Sequence, residues 1–207
     1  MTQIREARAF AIRQTGYHAR VCTREEPPRM EIETSRLILR EFTPEDFADV
    51  HAYASHTDVV RYTDWGPNTE SQTREFLDRK IRRREEQPRW TWDLAAQSRA
   101  AGRVIGTVSI TITRESHREG EVGYVFHPDH WGRGYATEAT IALLGFGFTG
   151  LKLHRIYATC DPGNRASARV LEKAGMRYEG HLRDHLIQRG AWRDSLLYAA
   201  LEQDALP

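Results

Sequence analysis

The stretch HWGRGYATEA, residues 130–139, has the residue types of a phosphate-binding loop. Gly132 and Gly134 flank Arg133, and an apolar run typical of a helix follows. The first backbone N–H groups of a helix have no partner inside it, and the helix dipole adds partial positive charge there. Glycine lets the backbone approach an anion without an intervening Cβ. The stretch therefore favours a phosphate cradle, although a turn needing two permissive residues would show the same glycine pair.

The spacing around Gly132 and Gly134 excludes two common nucleotide-binding loops. A P-loop needs Gly-Lys and then Ser or Thr, four residues after a first glycine, and this loop has no such sequence. A dinucleotide fingerprint needs a third glycine and a flanking strand order that is absent here. A nucleotide-dependent phosphotransferase is therefore disfavoured.

Periodic patterns predict the elements that would hold this loop. Thr43-Pro44-Glu45-Asp46 opens a first helix, and Asn68-Thr69 with Gln72 opens a second. Gly175 ends the last helix, and Arg189-Gly190 turns a closing hairpin. The predicted strands are residues 36–40, 90–96, 104–113, 121–126, 155–160, 177–187 and 191–201. Strands and helices mixed in this order indicate an α/β domain with one central sheet.

Residues 1–29 differ in composition from the rest of the chain. They contain six arginines, three glutamates and few clustered apolar residues, and Pro27-Pro28 would stop a helix. We expect an N-terminal arm, flexible or with a short helix, followed by one domain over residues 30–207. The alternative is that the start codon is mis-assigned and that translation begins at Met30.

The composition limits the partners that the protein can have. Hydrophobic residues make up 40% and charged residues 29%, and the net charge of +1 does not favour nucleic-acid binding. No apolar run approaches the roughly 20 residues of a membrane helix, and no signal peptide is recognisable. Two cysteines, Cys22 and Cys160, suit a reducing compartment, and no Cys/His spacing indicates a metal site. We expect a cytoplasmic protein with no membrane, nucleic-acid or metal partner.

Four segments, in the same order, resemble one enzyme family. EVGYVFHPDHWGRGYATEA resembles the acetyl-CoA motif of the GNAT N-acetyltransferase superfamily. Trp131 replaces the usual first Gln or Arg of its signature, which is common in the RimJ/RimL-like branch. ETSRLILREFTPED, HRIYATCDPGNRASARVLEKAGM and YEGHLRDHLIQRGAWRDSLLYAAL resemble the first strand and helix, the fifth strand with its helix, and the closing hairpin of that branch. The resemblance covers about residues 31 to 204.

The resemblance implies a fold, a cosubstrate and a set of contacts. The fold is a mixed, mostly antiparallel central sheet flanked by helices. The reaction transfers acetyl from acetyl-CoA directly to a primary amine, either a protein N-terminus or a small molecule. The implied cofactor-binding residues are Val125, Phe126, His127, Arg133, Gly134, Tyr135, Ala136, Thr137, Asn164, Ser167 and Lys173.

Two residues resemble catalytic groups of the family. Glu121 begins the strand that leads to the loop, where some members carry a general base; it could equally be a salt-bridged carboxylate. The Ser167 hydroxyl could donate a proton to the departing sulfur, or could complete local bonds while Asn164 caps the helix. Backbone N–H groups near Val125-Phe126, at a bulge before Pro128, would stabilise the oxyanion. Tyr124 and Tyr157, on strands, are expected in the core.

The acceptor would lie between the first two helices and the closing hairpin. Asp64 and Trp65 could recognise a cationic amine and its apolar neighbour, or could form a turn with a buried indole. Asp184 or His185 could replace the hairpin glutamate of some relatives, because Leu186 stands where that carboxylate would align. This departure makes ribosomal-protein acetylation doubtful.

One alternative comes from a different functional class. A non-catalytic acetyl-CoA-binding regulator would keep the phosphate loop but would need neither a base such as Glu121 nor an acceptor cleft. Release of free thiol with a panel of amines would distinguish the two. A homodimer is compatible with either function.

Overall fold

A computed structural model describes residues 18–19, 22–24, 26–204 and 206–207, with the backbone alone for those before Met30. The strands are β1 His18–Ala19, β2 Cys22–Arg24, β3 Glu26–Arg29, β4 Glu31–Glu33, β5 Leu37–Glu41, β6 Thr91–Ser98, β7 Val104–Arg114, β8 Glu119–Phe126, β9 Arg155–Cys160, β10 Arg177–Gln188 and β11 Ala191–Leu201. The α-helices are α1 Phe47–Ala54, α2 Glu70–Arg83, α3 Tyr135–Thr149 and α4 Arg165–Lys173.

Most of the described strands form one sheet in the order β1-β4-β5-β6-β7-β8-β9-β11-β10, and β2 pairs with β3 separately. Neighbouring strands in the sheet run antiparallel, except that β8 and β9 are parallel. The predicted mixed, mostly antiparallel central sheet is therefore confirmed.

Two apolar clusters attach the helices to opposite faces of the sheet. One cluster joins sheet residues such as Ile110 to Leu143 of α3 and Leu171 of α4. The other joins Tyr53 of α1 and Phe76 of α2 to the sheet. Each buried side chain of this size contributes about 1.5–3 kcal/mol. None of the described helices is long and apolar enough to cross a membrane.

Local signals in the sequence account for several element ends. The Thr69 hydroxyl accepts the backbone N–H of Gln72, and the Gln72 amide oxygen accepts that of Thr69, at 3.3 and 2.8 Å. Gly175, after α4, has a φ of 88°, and Arg189 and Gly190 have φ of 51° and 83°. These positive values suit a left-handed helix end and a two-residue hairpin turn. The predicted positions of all three features are confirmed.

Strand β4 has no counterpart among the predicted strands. Its three residues are too few for an alternating pattern, and it is recognised only by its pairing with β5. The N-terminal strands are also very short, and β1 pairs with β4. Residues 1–17, for which the sequence leaves a flexible arm or a short helix open, lie outside the described residues.

A chain that starts at Met30 is expected to fold. The first buried side chain of the described core is Ile32, which lies after Met30. Strand β5, which precedes the first helix, also lies entirely after Met30. We predict a fall in melting temperature below about 2–4 °C, the effect of about 1 kcal/mol in a domain of this size. Thermal melting of residues 30–207 beside the full chain measures it. A larger fall would mean that residues 1–29 stabilise the domain.

Candidate active site

The only parallel pair of described strands separates part of the way along its length. Residues 119–121 of β8 pair with residues 155–157 of β9, and the pairing then stops. Strand β8 nevertheless continues on β7 to Phe126, and β9 continues on β11 to Cys160. The two strands therefore diverge after Glu121 and leave a wedge-shaped gap in the sheet.

Backbone groups of β8 face this gap. The His127 N–H donates to Ile105 O of β7 at 2.9 Å. Because N–H directions alternate along an antiparallel strand, the Val125 N–H also points at β7, whereas those of Tyr124 and Phe126 point into the gap. The prediction of a bulge before Pro128 is wrong, because β8 pairs with β7 in unbroken register from Gly120 to Phe126.

A cavity of about 810 Å³ extends from the gap to both faces of the sheet. Its wall includes residues of the α1–α2 connection, the open part of β8, the glycine loop with the start of α3, the end of β9, and α4. Of the predicted cofactor-binding residues, the cavity is lined by Val125, Phe126, Gly134, Tyr135, Ala136, Thr137, Asn164, Ser167 and Lys173.

The glycine loop presents a helix N-terminus to this cavity. Gly132 and Gly134 have φ of 70° and 80°, a region that side chains with a Cβ rarely adopt. Gly134 is the residue before α3, and the Glu138 N–H donates to its carbonyl at 3.0 Å. The N–H groups of residues 135–137 therefore precede the first helical bond and remain for a ligand. This geometry suits an anion.

A partly buried carboxylate ties α3 to the start of β5. Glu138 accepts hydrogen bonds from the Thr34 and Ser35 hydroxyls, at 2.6 and 3.0 Å, and from the Arg36 backbone and Nε, at 2.8 and 2.6 Å. Arg36 Nη1 also donates to the Arg133 carbonyl at 2.8 Å, and its guanidinium lies 4.6 Å from the centre of the Tyr135 ring. Arg36 thus fixes the backbone of the glycine loop while neutralising Glu138.

Loss of the Glu138 charge is expected to weaken acetyl-CoA binding. Burial raises the pKa of this carboxyl, but the hydrogen bonds from Thr34 and Arg36 outweigh burial and lower the pKa below its ordinary 4.5. Glu138→Gln should raise the KM for acetyl-CoA about 10-fold with little change in kcat, since one hydrogen bond to a charge is worth about 1.5–3 kcal/mol. Steady-state kinetics measures this.

The same substitution has a predicted pH signature. A lowered folded-state pKa means that the stabilisation by Glu138 is complete above pH 4.5 and is lost as the pH falls through the folded value. The melting difference between wild type and Glu138→Gln should therefore shrink below pH 4.5. Glu179→Gln, which breaks an ion pair with Arg155 outside the cavity, should share this pH dependence but leave the KM for acetyl-CoA unchanged, and is the matched control for the kinetics. A Glu138→Gln variant with unchanged KM would mean that the contact is structural alone.

Two predicted cofactor contacts are placed elsewhere. The exposed Arg133 side chain is not part of the cavity wall. Arg133 contributes its backbone carbonyl, which accepts the hydrogen bond from Arg36. His127 borders a second, smaller cavity with Asp49 and Arg103, and its Nδ1 accepts the Asp129 N–H at 3.3 Å. Trp131, at the divergent signature position, donates from Nε1 to the Phe126 carbonyl at 2.7 Å.

The start of α4 meets β8 across the gap. The Asn164 side-chain oxygen accepts the Ser167 N–H at 3.1 Å, so Asn164 caps the helix while also lining the cavity. The Tyr124 hydroxyl lies 2.8 Å from Ser167 Oγ. Burial raises the pKa of Tyr124 well above its ordinary value, so this phenol remains protonated. Tyr124 therefore packs against the core, as expected, and in addition lines the cavity, which the sequence did not indicate.

Glu121 lies at the closed end of the gap. It immediately precedes Val122, the first residue of β8 that lines the cavity. Burial raises its pKa, and a hydrogen bond from the Tyr157 hydroxyl, 3.5 Å away, partly offsets that effect. Alternation along β8 places Glu121 on the same face as Val125, which packs against the α1 and α2 cluster. Glu121 has no arginine or lysine ion pair among the described contacts.

The four residues predicted for acceptor recognition do not line the cavity. Asp64 is exposed, and the Trp65 ring packs 5.7 Å from Phe76 in the second apolar cluster. Asp184 lies in an irregular part of β10 with a φ of 47°. His185 contacts the Ser195 hydroxyl at 3.0 Å.

Two other residues line this part of the cavity. Tyr62, from the α1–α2 connection, donates to the Gly163 carbonyl at 3.3 Å and closes the cavity beside the β9–α4 loop. Arg193 of β11 also lines the cavity. No motif in the sequence indicates these residues, because they approach one another only through the order of strands in the sheet.

Comparisons with known proteins agree with this geometry. A family model described as an acetyltransferase (GNAT) domain matches residues 36–177. The uncharacterized N-acetyltransferase YnaD of Bacillus subtilis is 35% identical over 84% of this chain and 99% of its own length. A GNAT-family acetyltransferase structure from Bacillus anthracis has 35% identity and a TM-score of 0.75, covering 84% of this chain and 100% of that one.

A structure of Mycobacterium smegmatis RimJ in complex with CoA-disulfide is also similar. It has 27% identity and a TM-score of 0.71, covering 80% of this chain and 81% of that one. The family model, the relatives and the similar structures all indicate the same family. The chain therefore belongs to the GNAT acetyltransferase family, as an acetyltransferase similar to its RimJ-like members.

Proposed function

We propose that the protein transfers acetyl from acetyl-CoA to a primary amine within a ternary complex of protein, acetyl-CoA and acceptor. The observation that carries this proposal is the gap between β8 and β9, which opens into a cavity bounded by the glycine loop. The N–H groups of residues 135–137 would hold the pyrophosphate, and those of Tyr124 and Phe126 would bond the pantetheine arm or the thioester oxygen. Lys173 and Arg169, also on the cavity wall, add positive charge.

Acetyl-CoA supplies an activated acetyl group, whose transfer forms a C–N bond and breaks the C–S bond. Glu121, acting through water, would accept the proton that the amine loses. A gap-facing N–H of β8 would stabilise the charge that develops on the carbonyl oxygen. Ser167 would give its proton to the departing sulfur and take one from the Tyr124 hydroxyl 2.8 Å away, while water in the cavity returns a proton to Tyr124. Solvent would also accept the proton that Glu121 has taken from the amine, so that both hydroxyls and the carboxylate return to their starting states.

Glu121→Gln is expected to lower turnover most at neutral pH. The raised pKa of Glu121 brings the base closer to the working pH, which favours proton transfer. We predict a loss of about 10²-fold at pH 7, the lower end for a general base. The deficit should shrink above about pH 8, where an α-amine deprotonates unaided. Glu119→Gln, two residues away on the same face, is the control, and an equal loss at every pH would exclude the base role.

The acceptor amine enters from the α1 and α2 face in this proposal, past Tyr62 and Arg193. The free, buried Cys160 suits a reducing compartment, and we place the reaction in the cytoplasm. The alternative, a regulator that binds acetyl-CoA without catalysis, shares the glycine loop. The Tyr124–Ser167 contact favours the enzyme, because binding alone needs no proton donor beside the gap.

Two measurements on the full chain test the proposal. Calorimetry with acetyl-CoA reports binding, and release of free thiol in the presence of protein N-terminal peptides, amino acids, amino sugars and polyamines reports transfer. Binding with amine-dependent thiol release supports the enzyme. Binding without release for any of these amines would favour the regulator, and absence of binding would contradict both.

A further inference from the structure

Arg193 is a mostly buried cation on the acceptor side of the cavity. Its side chain is 16% exposed, and it lines the cavity wall. Side chains of β11 alternate between faces, and Leu196, Tyr198 and Ala200 belong to the cluster under α3 and α4. Arg193 therefore projects to the opposite face, which carries α1 and α2. The glycine loop and its phosphate-binding N–H groups lie with α3, so Arg193 is not placed to bind the cofactor phosphates.

The described contacts leave much of the Arg193 charge uncompensated. Nη2 donates to the Ser195 hydroxyl at 3.0 Å, and Nη1 reaches the Tyr62 carbonyl at 3.5 Å. The nearest carboxylate oxygen, in Asp161, is 4.0 Å from Nη1, and the other oxygen of that carboxylate accepts the Gly163 N–H at 2.7 Å. Arg193 Nε is buried with no hydrogen-bond partner among the described residues.

A guanidinium has five N–H donors in a planar fork that matches a carboxylate. In Arg193, two of these N–H donors have neutral partners, and the contact with the Tyr62 carbonyl is long. A buried charge without a close counter-ion is unfavourable. Ser195, which is fully buried and contacts His185, holds the guanidinium in place. The arrangement suits a ligand carboxylate better than a second cation such as a polyamine.

Arg193 also lies near the reacting end of the cavity. Burial raises the pKa of the Cys160 thiol to about 11, while the charge of Arg193 and a hydrogen bond with Ser167 both act to lower it. Cys160 is therefore close to the proposed proton donor and within the field of Arg193. An acceptor anchored by Arg193 could present an amine to the thioester beside Ser167.

We propose that Arg193 binds the carboxylate of the acceptor, and that the acceptors are small amino acids whose amine lies a few bonds from that carboxylate. This assignment rests on the proposed acetyl transfer. It distinguishes α-amino acids from their decarboxylated amines, from polyamines and from protein N-termini that have no nearby carboxylate.

The test uses the full chain and three matched acceptor pairs: leucine with isoamylamine, phenylalanine with phenethylamine, and histidine with histamine. Wild type should prefer at least one amino acid over its amine by about 10-fold or more in kcat/KM. Arg193→Gln should raise the KM for that amino acid about 10–100-fold, the worth of a hydrogen bond to a charged group, and leave the KM for acetyl-CoA and for the amine unchanged. Arg193→Lys should restore part of the affinity.

Arg183→Gln, which removes an exposed arginine of β10 outside the cavity wall, controls for loss of charge. Equal kcat/KM values within every pair, or an equal loss for both members in Arg193→Gln, would overturn the carboxylate assignment while leaving acetyl transfer intact. Calorimetry of the same amino acids with the CoA-bound protein is independent of turnover. No amino-acid binding there would also overturn the assignment. Thiol release with polyamines, amino sugars or N-terminal peptides but with none of these six acceptors would overturn it too, whereas release with no amine of any of these classes would contradict the proposed function.

Discussion

Gly134→Val is expected to abolish acetyl-CoA binding in a protein that still folds. The residue has a φ of 80°, and a Cβ there would lie 3.3 Å from the Arg36 guanidinium that fixes the loop. Valine would move the backbone and place two methyl groups where the phosphates approach the N–H groups of residues 135–137. We predict a loss of affinity of about 100-fold or more, because each hydrogen bond to a charged group is worth about 1.5–3 kcal/mol.

Gly102→Val is the matched control for backbone strain. Gly102 has a φ of 65° in the β6–β7 turn, lies outside the cavity, and has open space where a Cβ would be. Both variants should lose stability through the unfavourable φ, by about 1–3 kcal/mol. Only Gly134→Val should lose binding in calorimetry with acetyl-CoA. A folded Gly134→Val protein with wild-type affinity would falsify the phosphate-cradle interpretation.

Features that depend on neighbours in the sequence were predictable. The Thr69 and Gln72 cap, the glycine pair and the turn at Arg189-Gly190 each involve residues within three positions of one another. The position of β7 likewise follows from a local run of apolar and β-branched residues. Such signals suffice for element order and for the position of the helix start after the glycine loop, because helix caps and turns are determined by local backbone chemistry.

Contacts that join distant parts of the chain were not predictable. Arg36 and Glu138 are 102 positions apart, and the Tyr62 carbonyl and Arg193 are 131 apart. Tyr124 illustrates the difference between local and long-range information. Its spacing of two residues from Val122 and from Phe126 indicates that the three side chains share one face of β8. Which helix covers that face depends on the sheet topology. For the same reason, Asp64 and Trp65 were wrongly expected at the cavity. Their turn is determined by neighbouring residues, but its distance from the cavity depends on the tertiary fold.

Tyr124→Phe and Ser167→Ala are expected to reduce turnover by similar amounts and through a shared step. Their oxygens lie 2.8 Å apart, and burial keeps the Tyr124 phenol protonated across the working pH range. If Ser167 donates to the sulfur and Tyr124 restores its proton, either change should lower kcat by about 10²-fold, within the range of a general acid. The loss should be equal from pH 6 to 9, in contrast to that of Glu121→Gln.

A double-mutant cycle with kcat as readout distinguishes this relay from two separate packing effects. Residues that share one hydrogen bond and one chemical step show non-additive effects, so the double variant should be little slower than either single variant. Tyr178→Phe removes the hydroxyl of an exposed tyrosine outside the cavity wall and should leave turnover unchanged. Acetyl-CoA affinity, measured by calorimetry, should change little in both single variants, because in the proposed function the start of α3 holds the phosphates. Losses that multiply in the double variant would mean that Ser167 and Tyr124 act independently. Turnover within about threefold of wild type in both variants would instead indicate that the enzyme works by positioning a neutral amine against the thioester, without a dedicated acid.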